Sequence, residues 1–185
     1  MRFWPDTTTN HQQGKTMSIK TLAMLSAALL LQACGTVAFT PTEYPLRDGL
    51  IASMDSAGTV SISNAQDSTA PAIVMSYGGT SYQTDYHAVT EVMVQQANKE
   101  LLKAAKTRAG SAKRVALKVT FLESNYIAFF YKSKISFEAT LGNGERLSLT
   151  VPHSSGNPVQ DLNGCIAEAV MTLLNDPKLR AYLAA

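Results

Sequence analysis

The chain has 185 residues, 45% of them apolar, and its 16 basic and 14 acidic side chains leave a formal charge of +2. So small a charge excludes an electrostatic nucleic-acid binder, and the apolar content excludes a disordered chain. Two cysteines are too few for a disulfide scaffold.

Residues 1–16 (MRFWPDTTTNHQQGKT) are polar and make an odd start to a targeting segment. The simpler reading starts translation at Met17; an unusually long leader is the alternative. From Met17, Lys20 supplies a positive charge and Thr21 to Leu31 is an uninterrupted run of 11 residues without charge. A bilayer span needs about 20 residues, so the run fits the apolar region of a secretory signal over 17–33 instead. It ends in Leu31-Gln32-Ala33-Cys34-Gly35.

That ending resembles the lipobox of bacterial lipoproteins, a Leu three places before a Cys that is flanked by small residues. The resemblance implies signal-peptidase recognition through Leu31, Ala33 and Gly35, cleavage after Ala33, a diacylglyceryl group on the Cys34 sulfur and acylation of the new terminus. Gly35 in place of an Asp after the Cys implies the periplasmic face of an outer membrane. Each buried methylene of such chains adds about 0.8 kcal/mol, so several chains hold a protein to a membrane it does not span. The bland alternative is a chance cysteine after a core helix.

From Cys34 onward 152 residues remain, with 13 basic against 13 acidic, a length suited to one core. With two prolines, three threonines and little periodicity after Gly35, 34–48 reads as a tether, lipidated as the resemblance implies, ahead of a single domain over 49–185. Thr59 to Ser63 alternates as a strand, and Ala72 to Tyr77 is a second strand broken by Gly78-Gly79-Thr80-Ser81. Asp85 caps a helix expected to run to Arg108, with Tyr86, Val89, Met93, Ala97, Leu101 and Ala104 on one face and Gly110 as its C-cap. Val115, Leu117, Val119 and Phe121 then alternate with Ala116, Lys118 and Thr120. After a break at Ser124-Asn125, Ile127, Phe129, Tyr131, Ile135, Phe137, Ala139 and Leu141 keep the period.

Gly142-Asn143-Gly144 turns into a last strand through Leu147, Leu149 and Val151. A helix starting at Gln160 or Asp161 carries Leu162, Ile166, Ala169, Val170 and Leu173, and Asp176-Pro177 opens a short final turn. One-sided alternation marks a sheet covered on one face. The fold expected is α+β: a two-layer sandwich, mainly antiparallel, with two helices on one face.

The strands GTVSIS and VALKVTFLES, the hairpin KSKISFEATLGNGERLSLTV and the closing NDPKLRAYL make the chain similar to the YajG-type family of outer-membrane lipoproteins. More distantly it resembles small lipoproteins that assist lipid and lipopolysaccharide transport. The likeness spans most of the chain after Cys34 and implies fold and location; the family carries no assigned reaction.

Catalytic motifs are missing: no G-x-S-x-G, Walker loop, H-E-x-x-H, C-x-x-C or G-x-G-x-x-G occurs. His87 and His153 have no local ligand spacing and read as exposed or end-capping residues rather than a metal site. Cys165 reads as a buried small hydrophobe. Ser76 to Ser81 (SYGGTS) reads as a Gly-rich connection rather than a serine beside backbone donors. No catalytic residue, metal or cofactor is expected, and no nucleic acid.

Two surfaces are candidates for contact. Lys99, Lys103, Lys106, Arg108, Lys113, Arg114 and Lys118 crowd together with Glu100 the only acid among them; they face either solvent or an anionic lipid, lipopolysaccharide or protein partner. In Tyr126 to Tyr131 (YIAFFY), parity puts Ile127, Phe129 and Tyr131 in the core and Tyr126 and Phe130 outside, as a contact surface. The function expected is that of a lipid-anchored, non-enzymatic binding or assembly factor of the cell envelope. A small envelope hydrolase or transferase and a carrier of an apolar ligand are the competing readings. The sequence leaves the oligomeric state open.

Overall fold

Alternating apolar and polar residues between Val115 and Val151 build two long hairpins on which the rest of the domain packs. The computed structural model describes residues 35–185; the signal segment, with Leu31, Ala33 and Cys34, lies outside the described residues. In chain order the strands are β1 (Gly35–Ala38), β2 (Met54–Ala57), β3 (Val60–Asn64), β4 (Pro71–Tyr77) and β5 (Thr80–Asp85), followed by helix α1 (Tyr86–Ala104). Next come β6 (Ala105–Arg108), β7 (Lys113–Ile127), β8 (Phe130–Leu141), β9 (Arg146–Ser155), α2 (Pro158–Asn175) and α3 (Pro177–Ala184).

The main sheet runs β1-β5-β4-β7-β8-β9, and β3 pairs with the first part of β7. The hairpin neighbours are antiparallel, whereas β1–β5, β3–β7 and β4–β7 are parallel. Helices α1 and α2 lie on one face, so the expected α+β sandwich is what forms, with a mixed and mostly antiparallel sheet. Between the layers Met93, Phe137, Leu162 and Ile166 are fully buried, each worth about 1.5–3 kcal/mol of transfer free energy. The uncovered face is polar over most of its area, with Lys118, Thr120, Lys134, Ser148 and Thr150 exposed.

Helix starts are fixed by side-chain caps. Asp85 accepts from the Ala88 N–H at 2.7 Å, Asn157 from Val159 and Gln160 at 3.0 Å, and Asp176 from Lys178 and Leu179 at 2.9 and 3.1 Å. Pro158 and Pro177 fill first-turn positions whose missing N–H costs nothing. The expected apolar stripes of α1 and α2 face the core, as do Leu179 and Leu183 of α3.

Several expectations are corrected. Helix α1 stops at Ala104 rather than Arg108, because Ala105 to Arg108 straightens and pairs in parallel with β2. Gly110 is no helix cap; it lets two turns touch, since a Cβ there would fall 2.8 Å from the Ala57 carbonyl carbon. The stretch read as a tether is docked from Gly35 onward. Its β1 pairs with β5, Phe39 is buried, and the Thr42 N–H donates to Asn163 Oδ1 at 3.0 Å. Gly78-Gly79 is the turn of a β4–β5 hairpin rather than the end of sheet structure. Finally, β7 runs unbroken through Ser124-Asn125, and a bulge between Val119 and Phe121 shifts its parity. Leu122 and Ser124 therefore point inward, while Phe121 lies outside under the Lys134 ammonium, 5.2 Å from its ring centroid.

Candidate functional site

At the far end of β7 and β8 the ladder closes on the pair Ile127 and Phe130, leaving only Ala128 and Phe129 to make the turn. Both have positive φ, 50° and 72°. Two-residue hairpin turns need this conformation to match strand twist, and Asn-Gly usually supplies it. Ala and Phe pay about 1–2 kcal/mol each for it. Such strain survives where the surrounding structure fixes the backbone, and it clusters at contact sites.

The turn presents apolar surface to solvent. Phe129 is 84% exposed, Phe130 53% and Ile127 49%. Phe129, Ile127 and Tyr131 were expected in the core. The first two are outside because the parity of β7 has slipped at the bulge and a two-residue turn carries no parity across it. Tyr131 is half-buried on the helix side, opposite Tyr126, which the unslipped parity had placed outside. Phe130 is exposed on the outer face.

Behind the turn three tyrosines pack together. Tyr77, the last residue of β4, lies 4.3 Å from Tyr126 and 6.1 Å from Tyr131 by ring centroids, and Tyr126 lies 5.0 Å from Tyr131. Their tilted and edge-on geometries are those aromatic quadrupoles favour. Partial burial first, and then the neighbouring phenols of Tyr77, Tyr126 and Tyr82, push the Tyr131 hydroxyl above its ordinary range. Sequence reasoning missed Tyr77, which joins this group only through the parallel pairing of β4 with β7.

Serine, histidine and carboxylate groups converge elsewhere, under the first turn of α2. Asp161 is 0% exposed. Its Oδ2 accepts from Ser124 Oγ at 2.8 Å and from Ser133 Oγ, and its Oδ1 meets His153 Nδ1 at 3.0 Å. The carboxylate is the hub, and neither serine is bonded to the imidazole. A catalytic serine needs a base to take its proton and a third group to orient that base; here both serines donate to the carboxylate itself and are buried. The cluster ties β7, β8 and β9 to α2. His153 is thus half-buried within β9 rather than exposed or end-capping, while His87 is exposed in the first turn of α1.

Cys165 is buried with its thiol directed at the Val151 carbonyl at 3.7 Å. Burial, with Asp161 nearby, pushes it up to about 12, far from the depressed range of a reactive thiol. In the hairpin at Gly78-Gly79, Ser76 and Ser81 hydrogen-bond each other at 2.8 Å. Among the described residues no three His, Cys, Asp or Glu side chains converge as metal ligands.

Most of the basic residues have a local partner. Lys99 pairs with Glu43 at 2.9 Å, and Lys103 with Glu100 at 2.7 Å. Lys106 sits beside Asp55 in the β2–β6 ladder. Arg108 donates to the Ala184 carbonyl, Lys113 lies over the Tyr182 ring, and the Arg114 N–H donates to the Tyr182 hydroxyl. An open groove of about 510 Å³ borders Phe39, Pro41, Pro71 and Asp85, whereas the space between helices and sheet is filled by core side chains. No described helix is long and apolar enough to cross a membrane.

No family model matches the chain, and no curated protein matches it. Among solved structures, the chain is similar to a Xanthomonas campestris protein of the DUF330 family at 15% identity and a TM-score of 0.44, covering 80% of this chain and 95% of that one. It is similar to a lipoprotein of Neisseria meningitidis at 15% identity and a TM-score of 0.31, covering 65% and 96%. A Helicobacter pylori protein described as a neuraminyllactose-binding hemagglutinin homolog aligns at 8% identity and a TM-score of 0.36, covering 77% and 94%.

Proposed function

We propose that this protein is a lipid-anchored envelope lipoprotein that acts by binding, as an assembly or recognition factor on the periplasmic face of an outer membrane, and that it is not an enzyme. The observation that carries the reading is the junction at Cys34. A lipobox-like Leu31-Gln32-Ala33-Cys34 leads directly into Gly35, whose N–H already donates to the Gly79 carbonyl at 3.2 Å. A cut before Cys34 leaves the domain's first strand whole, and a cut a few residues later does not. The likeness to YajG-type lipoproteins agrees with this location.

The non-enzymatic part is supported by the wiring of Asp161, which spends both serines and the histidine on one acceptor. A partner protein or lipopolysaccharide would meet the polar uncovered face of β7, β8 and β9. In-cell crosslinking of wild type and Cys34→Ala, read by mass spectrometry, tests the reading. Loss of membrane fractionation and of crosslinks in the variant is expected. Retention of both makes the anchor irrelevant and overturns it.

A further inference from the structure

The pairing registers bring the start of β1 and the tip of the β7–β8 hairpin to the same end of the sheet. Gly35 is level with Thr80, Thr80 with Tyr77, and Tyr126 with Tyr131 and then Ser155. Met75 pairs with Ser124, so Tyr77, two residues on, is level with Tyr126. Cys34 immediately precedes Gly35 in the sequence. Three strand steps of about 4.8 Å then separate β1 from β7, roughly 14 Å.

This end is layered. Ile127, Phe129 and Phe130 project beyond the row of tyrosines, and Phe129, two residues before Tyr131, reaches up to about 7 Å further at 3.3 Å per residue. Tyr77, Tyr126 and Tyr131 form the next layer. Exposed Lys132 follows, and over Tyr77–Ser81, 125–132 and 154–159 it is the only charged side chain. Apolar tip, tyrosine belt and lysine are the order in which side chains are sorted at a bilayer interface, which such segments enter by ~5–10 Å. The opposite end instead carries Gly142-Asn143-Gly144-Glu145-Arg146.

We infer that the β7–β8 tip is a second membrane contact: Phe129 and Phe130 enter the acyl boundary of the leaflet that holds the Cys34 lipid, the tyrosines sit at headgroup level, and Lys132 meets anionic headgroups. The occupant is the phospholipid bilayer itself. Two contacts on different strands also fix the domain's orientation, which one flexible lipid linkage cannot. The inference rests on the lipidation proposed above.

The test uses the full chain, processed in cells and reconstituted in vesicles of phosphatidylethanolamine and phosphatidylglycerol whose acyl chains carry bromine. The one tryptophan, Trp4, precedes Cys34, so Phe129→Trp or Phe130→Trp supplies the reporter, with Glu145→Trp as the control at the other end. The expected result is blue-shifted, bromine-quenched emission from both tip variants and water-exposed, unquenched emission from the control, with an acylated Cys34 in the same sample's mass. Unquenched, water-exposed tips on an acylated protein overturn this inference alone. Blue-shifted but unquenched tips mean that a second copy or another protein covers them, which also overturns it. A mass without acyl chains overturns the inference and the proposed anchor together.

Discussion

The His153 imidazole packs against α2 at Gly164, so close that a Cβ at that position would fall 2.5 Å from the ring's Cε1. The ring is held there by Asp161 Oδ1. In a helix interior Gly→Ala ordinarily stabilises by about 1 kcal/mol. Here the collision reverses the sign, and Gly164→Ala is expected to destabilise by about 1–3 kcal/mol. In a His153→Ala background the same change is expected to stabilise. Chemical denaturation of the four proteins reads this coupling, and equal effects in both backgrounds contradict it.

Asp161→Ala removes the acceptor of two buried serines and a half-buried histidine at once. Unsatisfied buried donors cost about 1–3 kcal/mol each, so a loss of ~3 kcal/mol or more in unfolding free energy is expected, read by chemical denaturation. Wild-type stability in this variant means that the cluster does not tie α2 to the sheet.

Cys165 gives a pH dependence of known sign. Its folded-state value is raised from an ordinary 9.0 to about 12, so between those values the folded thiol keeps a proton that the unfolded chain has lost. Stability is full below the unfolded value and falls as pH rises toward the folded one. One titrating group contributes a slope of up to about 1.4 kcal/mol per pH unit. Cys165→Ala is expected to show a shallower decline than wild type above pH ~9. Parallel curves contradict the burial argument.

Replacing Ala128-Phe129 by Asn-Gly relieves two left-handed residues that carry side chains, so the variant is expected to gain about 1–2 kcal/mol in thermal or chemical unfolding. The same variant removes the most exposed aromatic group among the described residues. A gain in stability with a loss of bilayer contact is the trade expected when strain is kept for function. No gain in stability means that the turn is not strained.

Elements with a self-contained periodic signal were legible in the sequence. The stripe of α2 from Leu162 to Leu173, the caps Asp85 and Asp176, and the alternation through Ile135, Phe137 and Ala139 all stand in the structure. What was not legible depends on partners distant in the chain. Gly35–Ala38 and Met54–Ala57 are strands because β5 and β6 lie beside them, and strand preference is a property of context. One extra residue near Thr120 moved every later side chain of β7 to the other face, which is why Tyr126 and Ile127 were placed wrongly, and Phe129 lies in the turn, where strand parity does not apply. The Asp161 cluster left a faint trace in Ser133, a polar residue on the inward parity of Ile135 and Phe137. Its partner Ser124 was hidden by the bulge.

The central claim is that a lipid on one sulfur holds this domain to a membrane. Intact mass measurement of the native protein extracted from membranes tests it directly. A chain beginning at Cys34 and heavier than its sequence by a diacylglyceryl group and an N-acyl chain is predicted. A chain that keeps the residues before Cys34 and a free thiol at that position contradicts it.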